Sequence, residues 1–339
     1  MRYLIAVLVL SQLLGCAAFI ERKLTSAQST SEYLPIVLQH FYKQQHYCLS
    51  ASKNEQVHCL HYYDLSVEKS LEDNNFNVNY DYHFIDDTRL IDNVTFNLNI
   101  QDELAPLAVI FPGYIMHAAE MINYAAWLND IGFFPIIADG PTYQQPFDFG
   151  LRYADLLAKI LAERYPERPV LLVGFSMGTS SIEPFMNQHP KVLGAIAIAP
   201  MQDFKTVGNT VFARAKQRRL LLRLIPQASV EQALTNILEI NQLDSETLNF
   251  NYSAARLNQP VLVFSGEFDW IAPAINLEDD ANITHIQLPY TNHFMLDHPW
   301  PEIRTQTERW IEKEQLPFNQ VGREKSEFRA SEQGQEAGL

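Results

Sequence analysis

The chain has 339 residues, and 47% of them are hydrophobic, which is enough for one large α/β domain with insertions. Its formal net charge is −15, and this acidity excludes nucleic acid as an expected partner, because a phosphate backbone is bound by basic surfaces. There is no internal repeat, and the three cysteines lack the CxxC spacing of a metal site.

The N-terminus has the form of a secretory signal. Arg2 supplies a positive start, and an apolar run at residues 4–14 leads to Gly15 and Cys16. This ending resembles the lipobox of bacterial lipoproteins, which implies that residues 1–15 are removed and that Cys16 carries acyl chains. Because the residue after the cysteine is not Asp, we expect a protein anchored in the bacterial cell envelope, at the outer membrane. The alternatives are an ordinary cleaved signal and an uncleaved anchor helix.

Residues 16–75 form an N-terminal extension whose pattern is the hardest to interpret. Cys48 and Cys59 lie in a short polar stretch of it, and in an exported chain they predict one disulfide across a small loop. Two free, buried thiols are the alternative. Residues 76–85 and 94–100 then alternate apolar and polar side chains, which predicts two half-exposed antiparallel strands.

After Pro106, short apolar runs begin to alternate with helical patterns. The runs predict strands at 107–111, 134–138, 170–173, 192–199, 261–266 and 286–288, with the main helices at 118–129, 149–165 and 303–312. Such alternation predicts a parallel, doubly wound sheet. We assign residues 76–202 and 259–313 to this core, and we expect the polar tail at 314–339 to be disordered.

The alternation stops between residues 203 and 258, where the pattern indicates several helices. An insertion at this point lies over the carboxyl edge of the sheet, where ligands bind, so we interpret 203–258 as a helical cap. Between Phe204 and Val230 there are six Lys or Arg and no acidic residue, although the whole chain is acidic. This stretch predicts either a helix that lies on an anionic surface or a solvated face whose arginines pair with the acidic body.

The sequence Gly174-Phe-Ser-Met-Gly178 is a G-x-S-x-G motif between a predicted strand and a predicted helix. The two glycines allow a sharp turn in which a Cβ would collide with neighbouring backbone. Such a turn projects the Ser176 hydroxyl above the sheet edge, at a helix N-terminus that favours negative charge. The context predicts a nucleophile, and the alternative is a glycine-rich turn that happens to contain a serine.

A serine nucleophile needs a base, and the base needs a carboxylate to orient it. Asp269 and His293 lie downstream of Ser176, each at the end of a predicted strand. The order Ser, Asp, His along the chain is that of α/β-hydrolases.

Several other residues compete for these roles. Asp203 follows the preceding strand and Glu267 stands in the same turn as Asp269, so both are alternative acids. We favour Asp269 because it lies at the more usual strand end. His298 is an alternative base, although its position at a helix start indicates a structural role. We expect His117 at the rim of the site.

Four motifs accompany the serine motif: Phe111-Pro-Gly-Tyr, Asn123-Tyr-Ala-Ala-Trp-Leu, Gly266-Glu-Phe-Asp and Asn292-His-Phe. Together they resemble the α/β-hydrolase superfamily, and within it the monoglyceride-lipase and serine-aminopeptidase-like group. The resemblance covers about two thirds of the chain. It implies the α/β-hydrolase fold, which is a doubly wound, mostly parallel sheet, here with antiparallel N-terminal strands and a helical cap insertion.

The resemblance also implies individual roles. The nucleophile, the base and the orienting acid would be Ser176, His293 and Asp269. The backbone N–H groups of Met177 and Tyr114 would form the oxyanion hole. The family usually has His-Gly where this chain has Pro112-Gly113, so the support that this histidine gives the Tyr114 loop is lost.

The expected reaction is hydrolysis of a carboxylic ester, a lipid or another acyl ester, through an acyl-enzyme. A thioester or a peptide amide could use the same residues. Two non-enzymatic alternatives remain: a lipoprotein that binds a ligand, and a scaffold that anchors other envelope proteins. The sequence contains no metal-ligand spacing, G-x-G-x-x-G or P-loop, so we expect no cofactor. The expected partners are a small acyl ester and, through the lipid anchor, a membrane.

Overall fold

The computed structural model describes residues 15–26, 42–48, 59–65, 74–99, 104–273 and 282–317. The strands in these ranges are β1 (Tyr42–Cys48), β2 (Cys59–Leu65), β3 (Asn75–His83), β4 (Arg89–Asn97), β5 (Leu107–Phe111), β6 (Phe134–Ala138), β7 (Val170–Phe175), β8 (Val192–Ile198), β9 (Val261–Gly266) and β10 (Ile283–Leu288). The α-helices are α1 (residues 15–25), α2 (Ile122–Asp130), α3 (Leu151–Arg164), α4 (Ile182–Gln188), α5 (Phe204–Arg218), α6 (Gln227–Ile240), α7 (Phe250–Ala254) and α8 (Pro301–Lys313).

Eight strands form one sheet in the order β1-β2-β6-β5-β7-β8-β9-β10. Neighbouring strands from β6 to β10 are parallel, whereas β1 pairs antiparallel with β2 and β2 pairs antiparallel with β6. The chain starts the parallel part at β5 and adds strands first on one side and then on the other. The predicted doubly wound, mostly parallel sheet is therefore confirmed.

The antiparallel strands are arranged in two separate groups. The two strands predicted from alternation form a hairpin, β3-β4, which is a sheet of its own beside the main one. The antiparallel strands of the main sheet are instead β1 and β2. They belong to residues 16–75, whose sequence pattern was the hardest to interpret. Their register places Cys48 opposite Cys59. Opposite residues of an antiparallel pair have the Cα spacing that a disulfide needs, but these two side chains lie outside the described residues, so the bond stays a prediction.

Alternate side chains of the central strands point to the two faces of the sheet, and each face has its own apolar core. Ile110 and Val173 contribute to one core, which includes buried residues of α2 and α8. Val109 and Leu172, their neighbours in sequence, contribute to the other core, which includes buried residues of α3 and α4. Because helices cover both faces, the strands are apolar throughout, as a buried parallel sheet requires.

Residues 203–258 contain helices and no strand, as predicted, and a third apolar cluster holds this region over the sheet edge. The cluster joins residues of α5 and α6 to Ala17 and Ile20 of α1. Within the described ranges, no helix combines the length and the apolar character needed to cross a membrane. The predicted signal peptide, apart from Gly15, and the tail beyond residue 317 lie outside the described residues.

Candidate active site

The G-x-S-x-G motif forms the tight turn that the sequence predicted. Ser176 follows β7 directly and has a φ of 51°, a left-handed conformation that non-glycine residues seldom adopt. A Cβ on Gly178 would lie 2.2 Å from the carbonyl oxygen of Phe111, and one on Gly174 would lie 2.8 Å from the Cα of Thr179. Both glycines are required, since the backbone of the turn packs directly against the neighbouring strand and its own following turn.

Ser176, His293 and Asp269 form a continuous hydrogen-bonded chain. The Ser176 Oγ lies 3.1 Å from the His293 Nε2, and the His293 Nδ1 lies 2.7 Å from the Asp269 Oδ2. An ionised carboxylate can only accept, so the imidazole proton belongs on Nδ1 and leaves Nε2 free to accept the serine proton. His293 is 5% exposed and Asp269 is 3% exposed. The arrangement matches the geometry by which a base activates a serine.

Four further contacts hold the acid and the base in place. The Asp269 Oδ1 accepts hydrogen bonds from the backbone N–H of Ile271 at 2.9 Å and of Ala272 at 2.8 Å. The rings of Phe175 and Phe294 lie against the imidazole of His293, with centroids 5.2 and 5.9 Å away. The Asp269 carboxylate therefore has one oxygen committed to the backbone and one directed at the base.

The alternative acids have structural partners. Asp203 is the N-cap of α5, and its Oδ1 accepts a 2.6 Å hydrogen bond from the Thr206 N–H. Glu267 accepts a hydrogen bond from the Tyr290 N–H at 3.0 Å. The sequence kept both as alternatives to Asp269, and of these three described acids it is Asp269 that hydrogen-bonds to His293.

The alternative base His298 and the expected rim residue His117 also have structural partners. His298 sits 3.4 Å from the Asp297 carboxylate and tilts against the ring of Tyr80. His117 caps the turn at Ala118–Met121, where its Nδ1 accepts from the Ala119 N–H. Burial lowers the pKa of His117, which favours the neutral ring that this cap requires.

The predicted oxyanion donors belong to two loops beside Ser176. Met177 directly follows the serine in the turn Ser176–Ser181, and the Tyr114 loop follows the end of β5. A Cβ on Gly113 would lie 3.4 Å from the Ser176 Cβ, so this loop directly adjoins the serine. Pro112 precedes Gly113 in this loop, and the Tyr114 carbonyl accepts a 2.8 Å hydrogen bond from the hydroxyl of the buried Thr142.

A cavity of about 460 Å³ opens above Ser176 and His293. Its walls are mainly apolar side chains from the cap, including Phe204, Val207, Val211, Phe212, Val230 and Leu234. No Lys or Arg belongs to the described lining, and the two acids in it are Glu120 and Asp297. Burial raises the pKa of both carboxyls. The cavity suits an apolar group held beside the serine.

Two residues of the N-terminal helix also line this cavity, and the sequence interpretation missed them. Ile20 and Leu24 of α1 face it, and the Tyr114 hydroxyl donates a hydrogen bond to the Leu24 carbonyl. Their spacing of four residues, with Ala17 three residues before, is a helical apolar stripe that could have indicated a packed helix. The pattern alone could not show that this helix packs beside the nucleophile.

Comparison with known sequences matches one family model to part of the chain. A family model described as serine aminopeptidase, S33, matches residues 103–248, a range that contains Tyr114 and Ser176 but neither Asp269 nor His293. The match covers less than half of the chain. No curated protein sequence matches the chain.

Solved structures give the same fold at low sequence identity. An esterase from Pyrococcus furiosus superposes with a TM-score of 0.59 and 13% identity, over 86% of this chain and 97% of that one. A membrane phospholipase A described as a bacterial virulence factor gives 0.49 and 13%, over 93% and 99%. An esterase from Thermogutta terrifontis gives 0.46 and 14%, over 80% and 99%. The last two scores are too low to carry an argument, and the first shows the fold alone. The chain has the α/β-hydrolase fold, with a Ser–His–Asp arrangement at the carboxyl edge of the sheet.

Proposed function

We propose that the protein is a serine hydrolase that cleaves carboxylic esters with an apolar acyl chain. The observation that carries this proposal is the hydrogen-bonded chain from Ser176 through His293 to Asp269 at the floor of an apolar cavity. The S33 serine aminopeptidase match over the serine motif supports the same reaction class.

The reaction proceeds in two halves. His293 Nε2 takes the Ser176 proton as the hydroxyl oxygen attacks the ester carbonyl, and the N–H groups of Met177 and Tyr114 stabilise the oxyanion. The imidazolium then gives its proton to the leaving alkoxide, which departs as an alcohol and leaves an acyl-enzyme. A water molecule, deprotonated by the same imidazole, attacks the acyl group and releases the carboxylic acid and the free serine.

The lining of the cavity favours an ester over a peptide. A peptide chain would bring backbone N–H and C=O groups against side chains such as Val207, Val211 and Leu234, which offer them no hydrogen bonds. An aliphatic acyl chain has no such requirement, and its burial is favourable by about 0.8 kcal/mol per CH₂. A thioester fits the same lining, so a substrate panel must separate the two.

A fluorophosphonate probe tests the reaction class. The parent protein should be labelled, and Ser176→Ala should not be labelled while its thermal unfolding midpoint stays the same. A panel of p-nitrophenyl esters and matched acyl thioesters of increasing chain length then identifies the substrate class. A folded parent that neither reacts with the probe nor cleaves any member of the panel would refute the proposed hydrolase and favour the two non-enzymatic alternatives.

For localisation we propose the bacterial cell envelope, with the protein anchored by acyl chains on Cys16. Each acyl chain adds about 0.8 kcal/mol of membrane affinity per buried CH₂. Cys16→Ser should therefore release a soluble or unprocessed form from the membrane fraction. Mass spectrometry of the native protein provides the direct test, since an unmodified Cys16 would refute the anchor.

A further inference from the structure

A turn in the cap exposes three leucines to solvent. The turn Leu220–Leu224 connects α5 to α6, and Leu220, Leu221 and Leu224 are 73%, 80% and 79% exposed. Single exposed leucines are common on protein surfaces, but three within five residues form a patch that marks an interaction site. Ile225, directly after the turn, packs into the apolar cluster of the cap, so the backbone of the turn is anchored while its leucines project outward.

The residues next to these leucines are cationic. Arg218 and Arg219 are exposed, and neither has an ion-pair partner among the described residues. The sequence left open whether the arginines of this stretch pair with the acidic body, and these two do not do so in the described structure. A local excess of positive charge on a chain of net charge −15 is complementary to an anionic surface.

Two other arginines of the stretch have structural roles. Arg223 donates hydrogen bonds from Nε to the Lys216 carbonyl and from Nη2 to the Gln217 carbonyl, at 3.1 and 3.2 Å. These bonds satisfy carbonyl groups at the C-terminal end of α5 and hold the turn against the helix. The Arg214 guanidinium lies 3.8 Å from the centre of the Trp270 ring. Arg218 and Arg219 are therefore the arginines of this stretch whose guanidinium groups make no hydrogen bond or ring contact within the described ranges.

The same helix connects the leucine turn to the cavity. Val207 and Val211 of α5 line the cavity, and the turn begins about 14 Å further along the chain at 1.5 Å per residue. Three apolar residues of the cavity lining are themselves exposed: Ile115 is 59%, Val211 is 41% and Phe294 is 63% exposed. The opening of the cavity and the leucine turn therefore both expose apolar side chains, and α5 connects the two.

We propose that the leucine turn and the two arginines before it, Arg218 to Leu224, dock on the surface of an anionic lipid bilayer. The leucines enter the acyl boundary, and the guanidinium groups remain at the depth of the phosphates. A bilayer is the occupant that matches exposed aliphatic side chains next to exposed cations, and docking brings the apolar opening of the cavity to the source of acyl esters. This last step rests on the proposed function, whereas the docking itself does not.

Vesicle binding tests the surface. Every protein in the experiment carries Cys16→Ser, which removes the anchor equally from all arms, and binding is measured by cosedimentation. The vesicles are phosphatidylcholine with phosphatidylglycerol, compared with phosphatidylcholine alone, at low and high salt. The parent should bind the anionic vesicles more tightly, and salt should weaken that binding.

Two sets of substitutions separate the contribution of the arginines to vesicle binding from that of the leucines. Arg218→Glu with Arg219→Glu should weaken binding to anionic vesicles at least about thirtyfold, because each cation contributes about 1 kcal/mol. Leu220→Ser with Leu221→Ser and Leu224→Ser should weaken binding to both kinds of vesicle, by about a hundredfold or more. The matched controls are Lys43→Glu with Arg309→Glu for charge, and Ile240→Ser for exposed apolar surface, since Ile240 is 66% exposed.

All variants should hydrolyse a short water-soluble ester at the parent rate, because none of these residues touches the serine. The docking proposal would be overturned if neither the leucine nor the arginine variant altered vesicle binding. It would also be overturned if the parent did not bind vesicles at low salt. A parent that dimerises in sedimentation velocity, with the leucine variant monomeric, would also overturn it and identify a second copy as the occupant. Normal docking by a protein that cleaves no ester would refute the proposed function alone.

Discussion

The substitution Asp269→Asn tests the catalytic assignment through the tautomer of His293. In the parent, the Asp269 Oδ1 accepts from the Ile271 and Ala272 N–H groups. The carbonyl oxygen of the substituted amide should take that place, because an NH₂ group there would face two donors. The NH₂ group then points at the His293 Nδ1, where the carboxylate oxygen lay 2.7 Å away.

A donor at this position moves the imidazole proton to Nε2. That nitrogen lies 3.1 Å from the Ser176 Oγ, and in its protonated form it cannot accept the serine proton. We expect kcat to fall about ten-thousandfold, which corresponds to about 5 kcal/mol of barrier. Ser176→Ala or His293→Ala removes the nucleophile or the base altogether and should lower kcat about a million-fold.

The assay is the steady-state rate on p-nitrophenyl butyrate, with circular dichroism to verify that each variant is folded. Asp203→Asn is the matched control, since asparagine caps a helix as well as aspartate and this side chain only caps α5. Its rate should equal that of the parent. A severe loss in Asp203→Asn together with a mild one in Asp269→Asn would show that the acid is assigned wrongly.

Burial raises the pKa of Asp139 from 3.8 to about 7, so the folded protein binds this proton more tightly than the unfolded chain. Stability should therefore be lost as pH rises from about 4 through about 7. Asp139→Asn should flatten that part of the plot of urea midpoint against pH. An unchanged slope would show that Asp139 does not cause the loss. Ile20→Trp should fill part of the cavity and lower kcat/KM for long acyl chains more than for short ones. Phe19→Trp, at a position 57% exposed on the same helix, is the control, and equal effects of the two would show that α1 does not shape the cavity.

Local patterns were sufficient to predict the central part of the fold. The strands from β5 to β9 are short apolar runs between helical segments. A strand that is covered on both faces of the sheet must be apolar, whatever the order of strands in that sheet. The turn at Ser176 could also be predicted from the sequence. Its glycines are required because a Cβ there would collide with backbone a few residues away or on the adjacent strand. These features depend on residue composition and on the spacing of apolar residues, both of which can be read from a single sequence.

The structure of the N-terminal segments was much harder to predict from the sequence. β1 and β2 contain many polar residues, and they belong to the sheet through backbone pairing that any side chains allow. The hairpin β3-β4 was predicted as two strands, but its separation from the main sheet depends on packing against helices elsewhere in the chain. The contact of α1 with the cap joins segments about two hundred residues apart.

The sequence by itself determined the order of the strands from β5 to β10, the serine at a sharp turn and a short list of acids and histidines that could serve it. Only the tertiary structure decided among them. Asp269 and His293 meet at 2.7 Å because β9 and β10 are parallel neighbours whose ends share one edge of the sheet. It likewise assigned Ile20 and Leu24 to the cavity wall. Residue type and spacing specify what a side chain can do, whereas a hydrogen bond or a cavity depends on distances that the whole fold sets.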